Sequence, residues 1–447
     1  MKLFATVLLF ACMALMFLVR REYKIGILFM STILMTMVSF PVGGISAETA
    51  ISVAFLMSEV INIGEIWRKI KSSLMLPFCI IAVLSFAICV ATSPNLQTVS
   101  GMAHFGLLEM FTKQFALLYA FICLRRKTSL KPLLTISFVS LVLMTVVAYA
   151  NYASGVSFLV DELYDETLVD YDFITAERFR VQATFVNPFD YGFICVLLAL
   201  LHLYAYIDHL ESPAICAVSQ LCCIFGVFTC NCRTIWFCYL VCLPIFVLAL
   251  IRDKKLKASI LLGALVLAVL AFMLIPQFRK MFVWIASIFD PTSVTKGSSL
   301  AMRLVQLATV FYYIQGAFLF GRGVYFFNID MGWENGSLMA ADSDLYGLEG
   351  IYLNLLLERG FVGLFIFIAM MVLLIVFIVK HRKLGRRVYA LGLSVFILYL
   401  TFCFMTGELS STMPSFLILG YVIAVLDKRR RIVERKSYAK LEEKPVL

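Results

Sequence analysis

Four arginines stand at positions where a membrane chain rarely carries positive charge. Arg178 and Arg180 precede an apolar run, Arg233 separates two apolar runs, and Arg303 opens an amphipathic stretch. The planar guanidinium group makes two parallel, charge-assisted hydrogen bonds to phosphate oxygens, so these residues are candidates for binding a phosphorylated ligand. The alternative for Arg178 and Arg180 is that they neutralise the acidic stretch that precedes them.

Polar residues accompany the arginines. Gln182 and Asn187 follow Arg180, and Asn187 leads through a proline into an apolar run. Tyr313 recurs at helical spacing after Arg303, which predicts an amphipathic helix at the interface or on the bundle. We interpret Gln182, Asn187 and Tyr313 as candidate substrate-binding residues.

Two further candidates have ordinary alternatives. Arg322 lies between two glycines, where the backbone can approach a ligand closely. His104 begins an apolar run and is the one histidine that could meet the arginines, although a lone histidine at a span end is more often an interfacial residue. The alternative for Arg233 is snorkelling to the membrane interface, and for Arg303 an ordinary place on the polar face of a helix.

Carboxylates mark the last outer segment. Glu349 precedes an apolar run, while Glu358 and Arg359 lie within it. Charged side chains there are costly and usually face the interior of a bundle or a cavity. Alternatively, the span begins at Phe361 and residues 350–359 form a separate short helix.

Composition defines the class of protein that must position these residues. The 447 residues are 62% hydrophobic and 15% charged, with a mean hydropathy of +0.95. Globular chains are nearer to half apolar, so we predict an all-α polytopic membrane protein. Each span needs roughly 20 apolar residues. The predicted spans, about twelve to thirteen, are 3–19, 24–41, 47–65, 73–92, 104–124, 131–151, 186–206, 213–230, 234–251, 258–276, 352–379, 388–405 and 410–426.

The basic residues predict the orientation. Six clusters of Lys and Arg fall between these spans, and alternating the spans puts every cluster on one side, which is cytoplasmic by the positive-inside rule. The N-terminus is then outside, and the four arginines share the outer side. The net charge of +10 is a topology signal and indicates no nucleic-acid partner.

The predicted spans divide the chain into regions. We expect two outer loops, of which the second is large enough to cap the bundle. The regions are N-terminal transmembrane helices at 1–151, a periplasmic loop at 152–185, central transmembrane helices at 186–276, a large periplasmic loop with an amphipathic helix at 277–351, C-terminal transmembrane helices at 352–427 and a basic cytoplasmic tail at 428–447.

The cysteines predict no cofactor. Most of the 13 lie inside apolar spans, where a thiol behaves as a small hydrophobe. Cys230 and Cys232 could form a vicinal disulfide or a soft-metal site, but no third ligand stands nearby at suitable spacing. We therefore predict neither a metal nor a cofactor. Motifs of soluble enzymes and of channel filters are absent from the sequence.

Taken together, these segments resemble the O-antigen polymerase and O-antigen ligase superfamily of bacterial polysaccharide assembly. The resemblance covers roughly residues 175–380 and depends on the order and common side of its motifs. The matching segments are Arg180 with Asn187-Pro188, Cys232-Arg233-Thr234, Arg303 with Gly321-Arg322-Gly323, and Glu349-Gly350-Ile351-Tyr352-Leu353 with Glu358-Arg359-Gly360.

The resemblance implies a GT-C-like fold and a metal-independent, inverting glycosyltransferase at the periplasmic face of the inner membrane. Its donor is a polyprenyl-diphosphate-linked oligosaccharide. Arg180, Arg233 and Arg303 would stabilise the leaving diphosphate, supported by Arg178 and Arg322. The base of the ligases is a histidine, and Glu349 occupies the corresponding position here, which favours a polymerase.

The resemblance also suggests partners and leaves alternatives. Besides the lipid bilayer, a chain-length regulator and a flippase are candidate partners. One alternative function is ligation of finished glycan to lipid A core or to protein. Another is transport of anionic solutes or lipid-linked sugars, which usually places charges near the bilayer midplane in duplicated halves. The mid-span regions here are nearly charge-free, and no duplication is apparent.

Overall fold

The computed structural model of the protein describes most of the chain. The described residues are 2–38, 45–93, 102–159, 179–287, 300–324, 326, 331, 345, 348, 350–406 and 411–442.

Helices account for the long elements of the described residues, which confirms the all-α polytopic class. Short 3-10 turns at Val60–Asn62, Lys127–Leu130 and Arg382–Leu384 connect some of them. The helices are α1 (Lys2–Leu18), α2 (Arg21–Leu34), α3 (Ala47–Glu59), α4 (Ile63–Ile70), α5 (Met75–Thr92), α6 (Met102–Cys123), α7 (Lys131–Ser154), α8 (Pro188–Ile207), α9 (Pro213–Thr229), α10 (Arg233–Leu250), α11 (Lys254–Leu274), α12 (Pro276–Ala286), α13 (Leu300–Tyr313), α14 (Ile351–Lys380), α15 (Arg386–Met405) and α16 (Thr412–Glu442).

Every predicted span overlaps one of these helices. Seven helical segments among the described residues are long and apolar enough to cross a membrane. They are Ala47–Ile70, Met75–Thr92, Lys127–Ser154, Pro188–Ile207, Arg233–Leu250, Ile351–Lys380 and Arg386–Met405. Shorter apolar helices at Leu3–Leu18 and Pro213–Thr229 accompany them. The full count of twelve to thirteen spans stays a prediction.

Helix α8 lies at the centre of the bundle. It is 83% buried, whereas the other six candidate spans are between 28% and 67% buried. Phe193 on α8 packs on Phe402 of α15, with ring centroids 4.5 Å apart. The hydroxyl groups of Tyr204 on α8 and Tyr421 on α16 form a hydrogen bond of 2.7 Å. Because α8 is the most buried candidate span and contacts several helices, it holds the elements that carry the site.

The basic clusters meet at one end of the bundle, as the sequence predicts. Asp208, at the end of α8, accepts hydrogen bonds from Lys127 at 2.6 Å and from Arg387 at 3.2 Å. Asp427, fully buried in α16, pairs with Arg125 at 3.2 Å. We call this end, which also carries residues 252–257 and 380–387, the basic end.

The opposite end, which we call the loop end, carries residues 179–187, the turn 230–232 and helices α12 and α13. Proline and asparagine start the helices here. Asn187 accepts a 2.8 Å hydrogen bond from the backbone amide of Asp190 and so caps α8, while Pro188 occupies the first helical position. The positive ends of the α8 and α10 dipoles therefore face the loop end.

Helix α14 is interrupted at Gly360, which has φ 60° and ψ −160°. The backbone amides of Phe361 and Val362 bond to the carbonyl oxygens of Phe318 and Leu319, at 2.9 and 3.0 Å. The kink separates a short helical segment before Gly360 from a long helix that follows Phe361, as the alternative interpretation of Glu358 and Arg359 requires, and the start of the membrane span stays a prediction.

Some helix boundaries differ from those of the predicted spans. The span predicted at 24–41 contains a helix that ends at Leu34, because the backbone turns at residues 35–37. The span predicted at 47–65 breaks at the 3-10 turn Val60–Asn62 and continues as α4. A helix is present around Arg303 as α13, and it ends at Tyr313, well before Gly321.

Candidate functional site

Arg180 lies at the loop end beside the start of α8. Its guanidinium carbon stands 5.9 Å from the ring centre of Phe189, within range of a cation–π contact. The next residue, Val181, donates its backbone amide to the carbonyl oxygen of Thr229, 3.1 Å away. This bond ties the Arg180 segment to the last residue of α9, immediately before the turn 230–232 that leads to Arg233.

Gln182 is buried, and its Oε1 has no hydrogen-bond partner within the described part of the chain. Thr184, two residues on, donates its hydroxyl to the carbonyl oxygen of Ile33 at 2.5 Å. Asn187 is occupied by its capping role, since its amide nitrogen also donates to Asp190 Oδ2 at 3.0 Å. The segment that carries Arg180 is therefore anchored on α2, α8 and α9.

Arg233 is the first residue of α10. Its Nη1 donates a 2.6 Å hydrogen bond to the hydroxyl of Ser287, just after α12. The chain reverses at Asn231, which adopts a positive φ of 49°, so the turn holds Arg233 close to the end of α9. The side chain of Arg233 thus links the N-terminus of α10 to the residue that follows α12.

Arg303 on α13 is 6% exposed and reaches the end of α15. It donates to the carbonyl oxygen of Phe404 at 3.2 Å and also to that of Met405. Met405 packs with Ile285 of α12 and with Trp236 of α10 in a small apolar cluster. Arg233 and Arg303 therefore border the same group of helix ends, and Arg180 is joined to them through α9.

Arg322 lies elsewhere on the loop end. Its side chain donates to the carbonyl oxygens of Tyr313 at 2.5 Å and Gln315 at 3.2 Å, which terminates α13. Tyr313 faces Phe326, with ring centroids 6.3 Å apart. These contacts give Arg322 a structural task, and its predicted ligand contact stays a prediction.

Three predicted site residues cannot be placed. Arg178 and Glu349 lie outside the described residues, and so does the side chain of His104. The structure thus brings Arg180, Arg233 and Arg303 to one end of the bundle, and the predicted base remains a sequence-based expectation.

The sequence analysis missed a charged cluster inside the bundle. Lys113 on α6 stands 2.6 Å from Glu109 on the same helix and 3.9 Å from Glu48 at the start of α3. Asp190 of α8 interacts electrostatically with both Glu48 and Lys113. Two opposite charges four residues apart in the middle of the predicted span 104–124 were the signal that could have revealed it.

The thiols near the site are accounted for by packing. Cys230 and Cys232 are free and buried, and their Sγ atoms donate to the carbonyl oxygens of Val227 and Cys230. Within the described ranges, no group of three His, Cys, Asp or Glu side chains is arranged to hold a metal ion.

The fold and these contacts define a multi-pass helical membrane protein with three candidate site arginines at one end of the bundle. A protein-family profile described as O-antigen ligase matches residues 218–368. Over these residues the chain is similar to that family, which supports its resemblance to the superfamily of O-antigen ligases and polymerases. It covers about a third of the chain and includes Arg233, Arg303 and Arg322, while Arg180 precedes it. A search of curated proteins finds no significant match. The family supports an enzyme of the O-antigen ligase or polymerase type.

Proposed function

We propose that the protein polymerises oligosaccharide repeat units carried on polyprenyl diphosphate into O-antigen, capsular or exopolysaccharide. The reaction takes place at the outer face of the bacterial inner membrane. The supporting observation is the common position of Arg180, Arg233 and Arg303 at the loop end, beside the N-termini of α8 and α10. Helix N-termini and arginines both favour a bound anion.

The chemistry needs a cationic site for a leaving group. An acceptor hydroxyl attacks the anomeric carbon of the donor sugar, and the bond from that carbon to the diphosphate oxygen breaks with inversion. The electron pair leaves with the polyprenyl diphosphate, whose growing charge the three arginines stabilise without a metal. The acceptor proton passes to a base, for which Glu349 is our candidate.

The arginines already contact protein groups, which is consistent with preorganisation. Arg233 bonds to Ser287 and Arg303 bonds to the end of α15, so both guanidinium groups are held before a ligand arrives. A guanidinium has five donor N–H groups in a fixed fork, so one arginine can bond to protein oxygens and to phosphate oxygens at the same time. Fixed donors stabilise a transition state better than mobile ones.

The ligase alternative differs in the acceptor. A ligase would transfer finished glycan to lipid A core or to protein, and the profile description names that activity. The position that resembles the ligase histidine is Glu349 in this chain. We therefore favour polymerisation, in which the acceptor is a second lipid-linked repeat unit.

Deletion of the gene tests the proposal. A cell that lacks a polymerase attaches a single repeat unit to lipid A core, whereas a cell that lacks a ligase leaves the core bare, and mass spectrometry of the lipopolysaccharide separates the two. Complementation with Arg180→Ala, Arg233→Ala and Arg303→Ala tests the diphosphate site. Full-length polymer from all three variants at normal protein levels would contradict it.

A further inference from the structure

The charged cluster of Glu48, Glu109, Lys113 and Asp190, which we call the Lys113 cluster, lies within the bundle. At about 1.5 Å of rise per residue, Lys113 is roughly 15 Å from the basic end of α6, and Asp190 is roughly 25 Å from that of α8. The hydrocarbon layer is about 30 Å thick. The cluster therefore extends from the middle of the membrane toward the loop end.

Glu48 is the member that lacks a tight partner. The residue is 5% exposed, and its Oε2 stands 3.9 Å from Lys113 Nζ, which is too long for a hydrogen bond. This oxygen has no hydrogen-bond partner among the described residues. Lys113 is instead held by Glu109 at 2.6 Å. A buried carboxylate oxygen without a hydrogen-bond donor is energetically costly. A ligand that carries a donor group could therefore bond to Glu48 Oε2 and remove this cost.

The cluster is partly exposed at Glu109. Glu48 and Glu109 flank one ammonium group, and replacing a buried ion pair by apolar residues would often cost nothing, so stability does not explain this arrangement. The Glu109 side chain is 32% exposed, while those of Lys113 and Glu48 are 11% and 7% exposed. Exposure thus decreases from Glu109 to Glu48, which is consistent with access from the Glu109 side, and we call the space between these two carboxylates and Lys113 the recess.

We propose that this recess is a subsite for the hydroxyl groups of a glycan, with Glu48 accepting and Lys113 donating hydrogen bonds to it. Sugar hydroxyls both donate and accept, which matches a carboxylate beside an ammonium group. Asp190 follows Phe189, the ring that faces Arg180, so the subsite adjoins the segment assigned to the diphosphate. This inference rests on the proposed function, because it names where the sugar of that reaction binds.

Helix α3 offers a matched control at its other end. Glu59 is also buried, but it accepts hydrogen bonds from Lys24 at 2.8 Å and Arg21 at 2.9 Å. Glu59→Gln weakens two tight ion pairs, so it should lower the stability of the fold without changing the affinity for a glycan. Glu48→Gln removes an unsatisfied charge while Lys113 keeps Glu109, so it should leave the thermal midpoint unchanged or raise it, and yet weaken glycan binding.

The test measures binding of a defined probe. The probe is the repeat-unit oligosaccharide released by mild acid from the lipid-linked glycans of the source cells, and the protein is the full chain in nanodiscs. Titration followed by saturation-transfer NMR compares wild type, Glu48→Gln, Lys113→Met and Glu59→Gln. We expect about tenfold weaker binding for the first two variants and wild-type binding for the third, as loss of a charged hydrogen bond predicts.

Each outcome decides the matter. Wild-type affinity in Glu48→Gln and Lys113→Met, or no binding of the probe to the wild-type chain, would overturn the subsite. Should Lys113→Met not fold, Glu109→Gln replaces it with the same expectation. Separate KM values for donor and acceptor glycans show which sugar occupies the recess, since only one should rise. Because the probe lacks diphosphate, alanine variants of Arg180 and Arg233 should bind it normally, so failure of the diphosphate site remains distinguishable.

Discussion

The backbone amide of Gly323 donates a 2.9 Å hydrogen bond to the carbonyl oxygen of Glu358. This bond joins two segments that the sequence presents as separate motifs, the glycine pair around Arg322 and the kinked start of α14. Arg322 adds a second backbone bond of 2.9 Å, to Leu357. The two motifs therefore form one backbone clamp, and the glycines serve the close approach of two chain segments.

Substitution of Gly360 by alanine should weaken this clamp. The backbone of Gly360 adopts a conformation that only glycine tolerates, and an added Cβ would stand 2.5 Å from the carbonyl oxygen of Phe318. We expect Gly360→Ala to lower the free energy of unfolding by about 2 kcal/mol, measured by thermal unfolding in detergent. Gly263→Ala is the control, because no atom of the described residues lies within 4 Å of the added Cβ. Equal midpoints for the two variants would contradict the clamp.

The contact of Arg233 with Ser287 allows the role of the arginine to be separated from its positioning. Arg233→Ala removes a preplaced cation and should reduce polymer formation about a hundredfold. Ser287→Ala removes one supporting hydrogen bond, worth about 1 kcal/mol, and should reduce it about fivefold. Arg233→Lys keeps the charge without the planar fork and should fall between them. The measurement is polymer formed per folded protein in a reconstituted assay.

An equal loss in Ser287→Ala and Arg233→Ala would show that Arg233 acts only by holding the segment after α12. Polymer formation above half of the wild-type rate in Arg233→Ala would remove this residue from the reaction. Thermal midpoints of all three variants provide the control for folding.

The orientation of the bundle gives a prediction that is independent of catalysis. The basic clusters meet at one end, and positive charge marks the cytoplasmic side. Alkaline phosphatase fused after Gly316, in an exposed turn of the loop end, should be active, and the same fusion after Asp253 should be inactive. Activity of the Asp253 fusion alone would reverse the orientation and place the arginines inside the cell.

Much of the architecture could be predicted from the sequence because membrane spans are recorded in hydropathy and in the placement of Lys and Arg. The site could be predicted only in part. Tyr313 and Arg322 stood out as polar residues, yet their bond terminates a helix, and nothing in a linear pattern shows which carbonyl oxygen an arginine will reach. Lys113 and Glu48 were missed because their meeting depends on two helices that lie far apart in the chain.

Arg303 could cap a helix end, bind diphosphate, or do both. Its side chain donates hydrogen bonds to the carbonyl oxygens of Phe404 and Met405 at the end of α15. Arg386 makes the same kind of contact at the basic end, donating to Ala249 at 2.9 Å and also to Ile251, at the end of α10. Each alanine variant should therefore lose about 1 kcal/mol of stability as a helix end loses its cation. If Arg303 also binds diphosphate, only Arg303→Ala should lose polymer formation per folded protein, whereas equal retention in both variants would show that Arg303 is a helix cap alone.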